Sequence, residues 1–196
     1  MMRPVPVSLH GRAAEDLRFI RTAMERSGSF TAVPGLGGVA MGVVAVAAAV
    51  VAARQPTPER WLATWLIAAA FAFALGIIAL RRKAAGAGVP LTGASARRFA
   101  LSLSAPLVAG AALTASLAQS GNWSLMPAVW LLLYGTGVVT GGVVSVRVVL
   151  VVGLCFMFLG GLALVTPPAW GNLWLAIGFG LVQIVFGAYI ARKHGG

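Results

Sequence analysis

The sequence predicts an all-α polytopic membrane bundle of six transmembrane helices with both termini in the cytoplasm, preceded by an amphipathic cytoplasmic helix. Three observations predict it. Apolar residues make up 59% of the chain and charged residues 10%, which is too little polar surface to cover a water-soluble globule of 196 residues. The apolar residues fall in blocks of about twenty, the length at which a helix crosses roughly 30 Å of hydrocarbon. Lys and Arg gather at alternate ends of these blocks, and all 6 Trp lie in or near the opposite ends.

The chain divides into a tail over 1–30 and a transmembrane domain over 31–196. Within the tail, 11–27 reads as an amphipathic helix: Ala13, Leu17, Ile20 and Met24 recur every three to four residues, with Asp16, Arg18, Arg21 and Glu25 largely off that stripe. Three of the 4 acids, Glu15, Asp16 and Glu25, sit there, which weakens a purely lipid-bound reading and leaves room for a protein contact beside the plainer reading, a solvated or interfacial segment that only sets topology. A first span follows over 33–53. Its Val-Ala run is no signal peptide, because the polar segment before it exceeds thirty residues and five more spans follow. Gly35, Gly37 and Gly38 do not form a phosphate loop either: no strand precedes them and no Gly-Lys-Ser follows. Gly38 and Gly42, four apart, instead suit close helix packing.

The second span, 61–80, carries its orientation in its ends. Trp61 and Trp65 belong at the headgroup interface, and Arg81, Arg82 and Lys83 avoid the bilayer centre, where a cation costs about 2.5–3.5 kcal/mol. This span runs outside to inside. The connection over 81–98 is expected to be an internal loop, flexible in its Gly-, Ala- and Pro-containing middle, with Arg81, Arg82, Lys83, Arg97 and Arg98 at its edges gripping anionic headgroups. It lacks the interleaved aromatics of a nucleic-acid surface, so the net charge of +11 follows topology and no nucleic-acid partner is expected.

The third span, 99–118, contains Pro106, whose ring removes one helical hydrogen bond and calls on nearby hydroxyls to repair it. Asn122, Trp123 and Ser124 match a glycosylation sequon formally but lie so near the membrane that they read as an interfacial turn. The run over 126–165 holds one charge, Arg147, and is twice the length of a membrane crossing, so it must turn near 145–148 into spans over 125–144 and 148–165. Gly135, Gly137, Gly141 and Gly142 give the fourth span a small-residue surface, with Gly137 and Gly141 four apart. The sixth span, 170–191, ends in Arg192 and Lys193 and holds one strongly polar residue, Gln183. That amide requires a partner across the bundle, and Tyr134, Thr136 and Thr140 are the candidates.

With the N-terminus inside, every Lys and Arg except Arg54 and Arg60 falls on the cytoplasmic side. Trp61, Trp65, Trp123, Trp130, Trp170 and Trp174 then serve as anchors at the external interface. The Ala, Gly, Val and Arg richness fits a multi-pass protein of a bacterial inner (plasma) membrane.

The six spans hold no Asp, Glu, Lys, Arg or His, which argues against proton relays, ion coupling and intramembrane haem or metal ligation. The 2 His, His10 and His194, lie at the ends of the chain, the single Cys155 allows no intrachain disulfide, and no Ser-His-Asp set, P-loop, His-Glu-x-x-His or Cys-x-x-Cys occurs. No enzyme activity, cofactor or metal is therefore expected. The expected function is that of an accessory or regulatory component. Its partners are the lipid bilayer and either a membrane or cytoplasmic protein or a second copy, bound through the tail or the Gly-rich faces of spans one and four. The alternative is a small permease for an uncharged or apolar solute, with a cleft lined by Tyr134, Thr136, Thr140, Cys155 and Gln183.

Overall fold

The computed structural model describes residues 34–86, 91–143, 145 and 147–194, together with Leu17. The amphipathic helix expected over 11–27 falls, but for Leu17, outside the described residues. Those residues fold into α1 (Gly35–Ala52), α2 (Pro58–Gly86), α3 (Ala94–Gln119), α4 (Met126–Val143), α5 (Arg147–Val165), α6 (Gly171–Leu175) and α7 (Gln183–His194). A π-helical segment, Ala176–Val182, joins α6 to α7, and backbone angles stay helical through both junctions, so the three pieces make one sixth span. Short 3₁₀ turns, Trp123–Leu125 and Pro168–Trp170, lead into α4 and α6. The result is six stretches long and apolar enough to cross a membrane, with no strand among the described residues.

Two antiparallel helix pairs make the centre: α1 against the sixth span, and α4 against α5. Lipid tails are as apolar as the side chains, so such pairs are held by van der Waals packing rather than by a hydrophobic force. Glycine supplies it. A Cβ added at Gly187 would lie 2.7 Å from the Val39 nitrogen and 2.8 Å from the Gly35 carbonyl oxygen, and one at Gly153 would lie 2.6 Å from the Val139 nitrogen. Backbones therefore touch directly in both pairs. The sixth span also packs against α4 and α5, and Met126, Leu131, Phe156 and Leu175 are wholly enclosed.

Helices α2 and α3 are peripheral: only 6% of the apolar window of each is buried, against 50% for the fourth span. The former lies on α1, the latter on α4. Both outlast the spans expected of them, because hydropathy falls at Arg81 and rises only after Arg98, whereas Ala, Arg and Lys keep favouring helix on either side. The connection expected over 81–98 is thus shorter at both ends: Arg81, Arg82 and Lys83 are on α2, Arg97 and Arg98 are on α3, and Ala84 and Ala96 are buried together. Residues 87–90 of that loop lie outside the described residues. At its start α2 has Pro58 at the first helical position, Glu59 in the first turn, and the Thr57 hydroxyl accepting the Arg60 N–H at 3.4 Å.

The proline in α3 explains one interhelical contact. Pro106 cannot donate to the Ser102 carbonyl, and the Thr140 hydroxyl of α4 approaches that oxygen at 3.4 Å. Gly137, one turn from Thr140, leaves room: its missing Cβ would stand 3.3 Å from Pro106 and 3.4 Å from the Ser102 carbonyl oxygen. The turn between the fourth and fifth spans comes slightly earlier than expected, with α4 ending at Val143 and the Ser145 N–H bonded to the Gly142 carbonyl at 3.2 Å.

Candidate functional site

The polar centre of the bundle is Gln183, the first residue after the π segment. Its Nε2 donates to the Tyr134 hydroxyl at 2.7 Å, tying the sixth span to α4. Tyr134 is held edge-on by Phe156 of α5 at 4.7 Å and by Phe179 of the π segment at 5.1 Å, and these two rings lie 5.1 Å from each other. On its other side the Gln183 amide faces α1 where Gly38 leaves space. The π segment's wider i→i+5 turns occur here and nowhere else among the described residues, a form often found at functional positions. Gly178 and Gly180 within it admit Leu131 and Phe156 on one side and Val46 on the other. The pair offers hydrogen-bond donors and acceptors but no group that ionises near neutrality, so its chemistry is recognition or bracing, not proton transfer.

A second polar set closes the end of the bundle opposite Arg81, Arg82 and Arg192. Asn172 accepts from the indole N–H of Trp65 at 3.1 Å and of Trp61 at 3.3 Å, and its own Nδ2 donates to the Ala49 carbonyl at 2.9 Å. One amide thereby joins α1, α2 and α6. Trp61 stacks on Trp130 at 5.6 Å with the rings 8° from parallel, which adds α4. The Trp130 N–H donates to the Thr114 hydroxyl and the Trp174 N–H to the Thr166 hydroxyl, each at 2.8 Å.

No family model, curated protein or solved structure matches the chain. Function must be argued from the side chains. Of the residues expected to line one cleft, the structure joins Tyr134 and Gln183. Thr136 instead bonds the Leu132 carbonyl at 2.8 Å and is exposed, and Thr140 serves the backbone around Thr136, Gly137 and Ser102. Cys155 is a half-buried free thiol beside Phe156.

The glycine faces expected to be open to a partner are covered by the chain itself. A Cβ at Gly38 would meet Gly187, one at Gly42 would meet Gly180 and Ile184, and Gly137 and Gly141 face Leu103, Pro106 and Phe99 of α3. The tryptophans also do more than mark an interface. Trp65 is 5% exposed, Trp61, Trp123, Trp130 and Trp174 are half-buried, and Trp170 alone is exposed, 6.3 Å from Trp174. The N–H groups of Trp61, Trp65, Trp130 and Trp174 find Asn172, Thr114 and Thr166, and so these four rings pack inward. Asn172 is the residue that sequence reasoning missed. Its signal was the Gly171-Asn172 pair just ahead of Trp174, which recurs as Gly121-Asn122 ahead of Trp123.

Proposed function

We propose that this protein is an accessory or regulatory component of a bacterial inner membrane, with both termini in the cytoplasm, and that it holds a protein partner at its basic end. The observation that carries the reading is that the polar groups and glycine faces inside the spans are spent on the chain's own atoms. Gln183 engages Tyr134, Asn172 engages Trp61, Trp65 and Ala49, and no buried side-chain nitrogen or oxygen among the described residues lacks a partner. What remains for recognition lies at the ends. Arg81, Arg82, Arg97, Arg98, Arg147 and Arg192 are exposed at one end, and Lys193 lies over the Tyr189 ring at 5.1 Å. The positive-inside rule supports placing that end in the cytoplasm, where the tail with Glu15, Asp16 and Glu25 also begins the chain.

Native mass spectrometry after gentle extraction tests this. A second polypeptide should be retained at fixed stoichiometry, and deleting residues 1–27 should release it while the bundle keeps its thermal transition. Co-purification unchanged by the deletion counts against the reading.

The π segment beside Gln183 favours a second reading, a permease for an uncharged or apolar solute that passes the Tyr134–Gln183 pair. In that case Gln183→Leu should abolish uptake in proteoliposomes. Under the accessory reading the variant changes stability only, and a cycle with Tyr134→Phe should give a coupling of about 0.6–1.7 kcal/mol, the range for hydrogen bonds between membrane helices.

A further inference from the structure

We infer that the cleft between the start of α1 and the basic end of α2 is a binding site for one anionic phospholipid. The cleft measures about 590 Å³, within the range of pockets that hold small ligands. Its walls are Leu36 and Ala40 on α1 and Leu75 and Ile78 on α2, with Arg82 and Lys83 at one end. The floor is set by the contact of the two helices, where the missing Cβ of Gly37 would stand 2.6 Å from the Ala79 methyl. The arrangement follows from spacing. Ile78 and Arg82 are four apart and so stacked on one face of α2, which places the apolar wall toward mid-membrane and the guanidinium toward the surface.

That polarity is the polarity of a phospholipid. An acyl chain fits the Ala40 and Leu75 end, where two spans meet and hydrocarbon surrounds them. A phosphate fits the Arg82 end, because the planar guanidinium bonds phosphate oxygens in pairs. Charge decides the headgroup class. The acid among the described residues, Glu59, begins α2 at the far end from this cleft, whereas Arg81 stands beside Arg82 in the chain, and both are exposed. A headgroup with net negative charge is favoured there over a zwitterionic one. Leu36 is 63% exposed and Ile78 48%, so the cleft opens sideways to the bilayer rather than into the bundle. The site is separate from the Tyr134–Gln183 pair and does not depend on the partner reading.

The experiment is native mass spectrometry of the full-length protein in neutral detergent with added phosphatidylglycerol or phosphatidylcholine of the same chains. One phosphatidylglycerol should be retained about fivefold or more in preference to phosphatidylcholine. Arg82→Ala should weaken retention about fivefold, Ala40→Phe should remove it with no change of charge, and Arg98→Ala should leave it intact. A photoreactive residue at Ile78 should cross-link to lipid. The proposal is overturned by equal retention of the two lipids, by phosphatidylglycerol retention that survives Ala40→Phe, or by equal losses from Arg82→Ala and Arg98→Ala. It is likewise overturned if the Ile78 probe captures the chain's own tail or another polypeptide in place of lipid.

Discussion

Gly42→Leu should lower the midpoint of thermal unfolding in detergent by about 6–12 °C, the equivalent of about 3 kcal/mol for a chain of this size. A Cβ at this position would lie 2.6 Å from the Ile184 Cγ1, 2.7 Å from the Gly180 carbonyl oxygen and 3.0 Å from the Ile184 nitrogen. The Ile184 side chain has other rotamers, but the backbone oxygen and nitrogen have nowhere to go. The sixth span must therefore retreat from α1, and the nearby contacts of Gly38 and Gly187 go with it. Because van der Waals contact is what holds these helices together in lipid, a gap of even one ångström forfeits much of the attraction. Gly161 is the matched control. It is also helical, but a Cβ there meets nothing within 4 Å, so Gly161→Leu should move the midpoint by no more than about 2 °C. Equal midpoints for the two variants would mean that the α1 contact contributes no stability.

The contrast between these two glycines also marks how far the sequence could be read. Six spans were legible because a block of about twenty apolar residues has few alternatives. Spacing exposed Gly38 with Gly42 and Gly137 with Gly141 as packing surfaces, yet it does not say which helix each surface meets. All four face elements that only the tertiary fold identifies: Gly38 and Gly42 the sixth span, Gly137 and Gly141 α3. The α4–α5 contact went unread because its glycines, Gly135 with Gly142 and Gly153 with Gly160, are seven apart. Two helical turns bring such residues back to one face as surely as one turn does. Span ends were the weaker part of the reading, since hydropathy reports the hydrocarbon boundary and α2 continues past it to Gly86.

Within the site, Gln183 was legible as the one amide in an apolar run, and Tyr134 was among the partners open to it. Thr136 could have been set aside from the sequence. It is two residues from Tyr134, about 200° around the helix, and so faces the other way. Thr140 was misplaced because its hydroxyl is taken by its own helix, by the Thr136 and Gly137 carbonyls at 3.0 Å, with the Ser102 carbonyl that Pro106 orphans on a different helix at 3.4 Å. Asn172 gave the least warning: an amide at the edge of a span is ordinarily satisfied by water. Only the fold brings Trp61, Trp65 and the Ala49 carbonyl to it at once.

Asn172→Leu should accordingly destabilise the bundle by about 3 kcal/mol, even though the substitution is apolar and lies in a membrane-spanning stretch where leucine is ordinarily welcome. The loss does not fall on Ala49, whose carbonyl also takes the Ala53 N–H at 3.0 Å and stays bonded. It falls on the indoles. Trp65 is 5% exposed, so its N–H would be stranded without an acceptor, and a buried donor left unpaired costs about 1–3 kcal/mol. Trp61 would be released from the position in which it stacks on Trp130, loosening α2 from α4 at the one end where those helices touch through rings. Two readouts separate this from a general loss of fold. The thermal midpoint should fall, and the tryptophan emission should shift at temperatures where the helical signal is still intact. Asn122→Leu provides the comparison, since Asn122 is exposed and its side chain bonds only the Ser120 hydroxyl, at 3.0 Å; its effect should stay within about 0.5 kcal/mol. Equal effects from the two asparagines would assign both to span-edge polarity and remove Asn172 as the joint between α1, α2 and the sixth span.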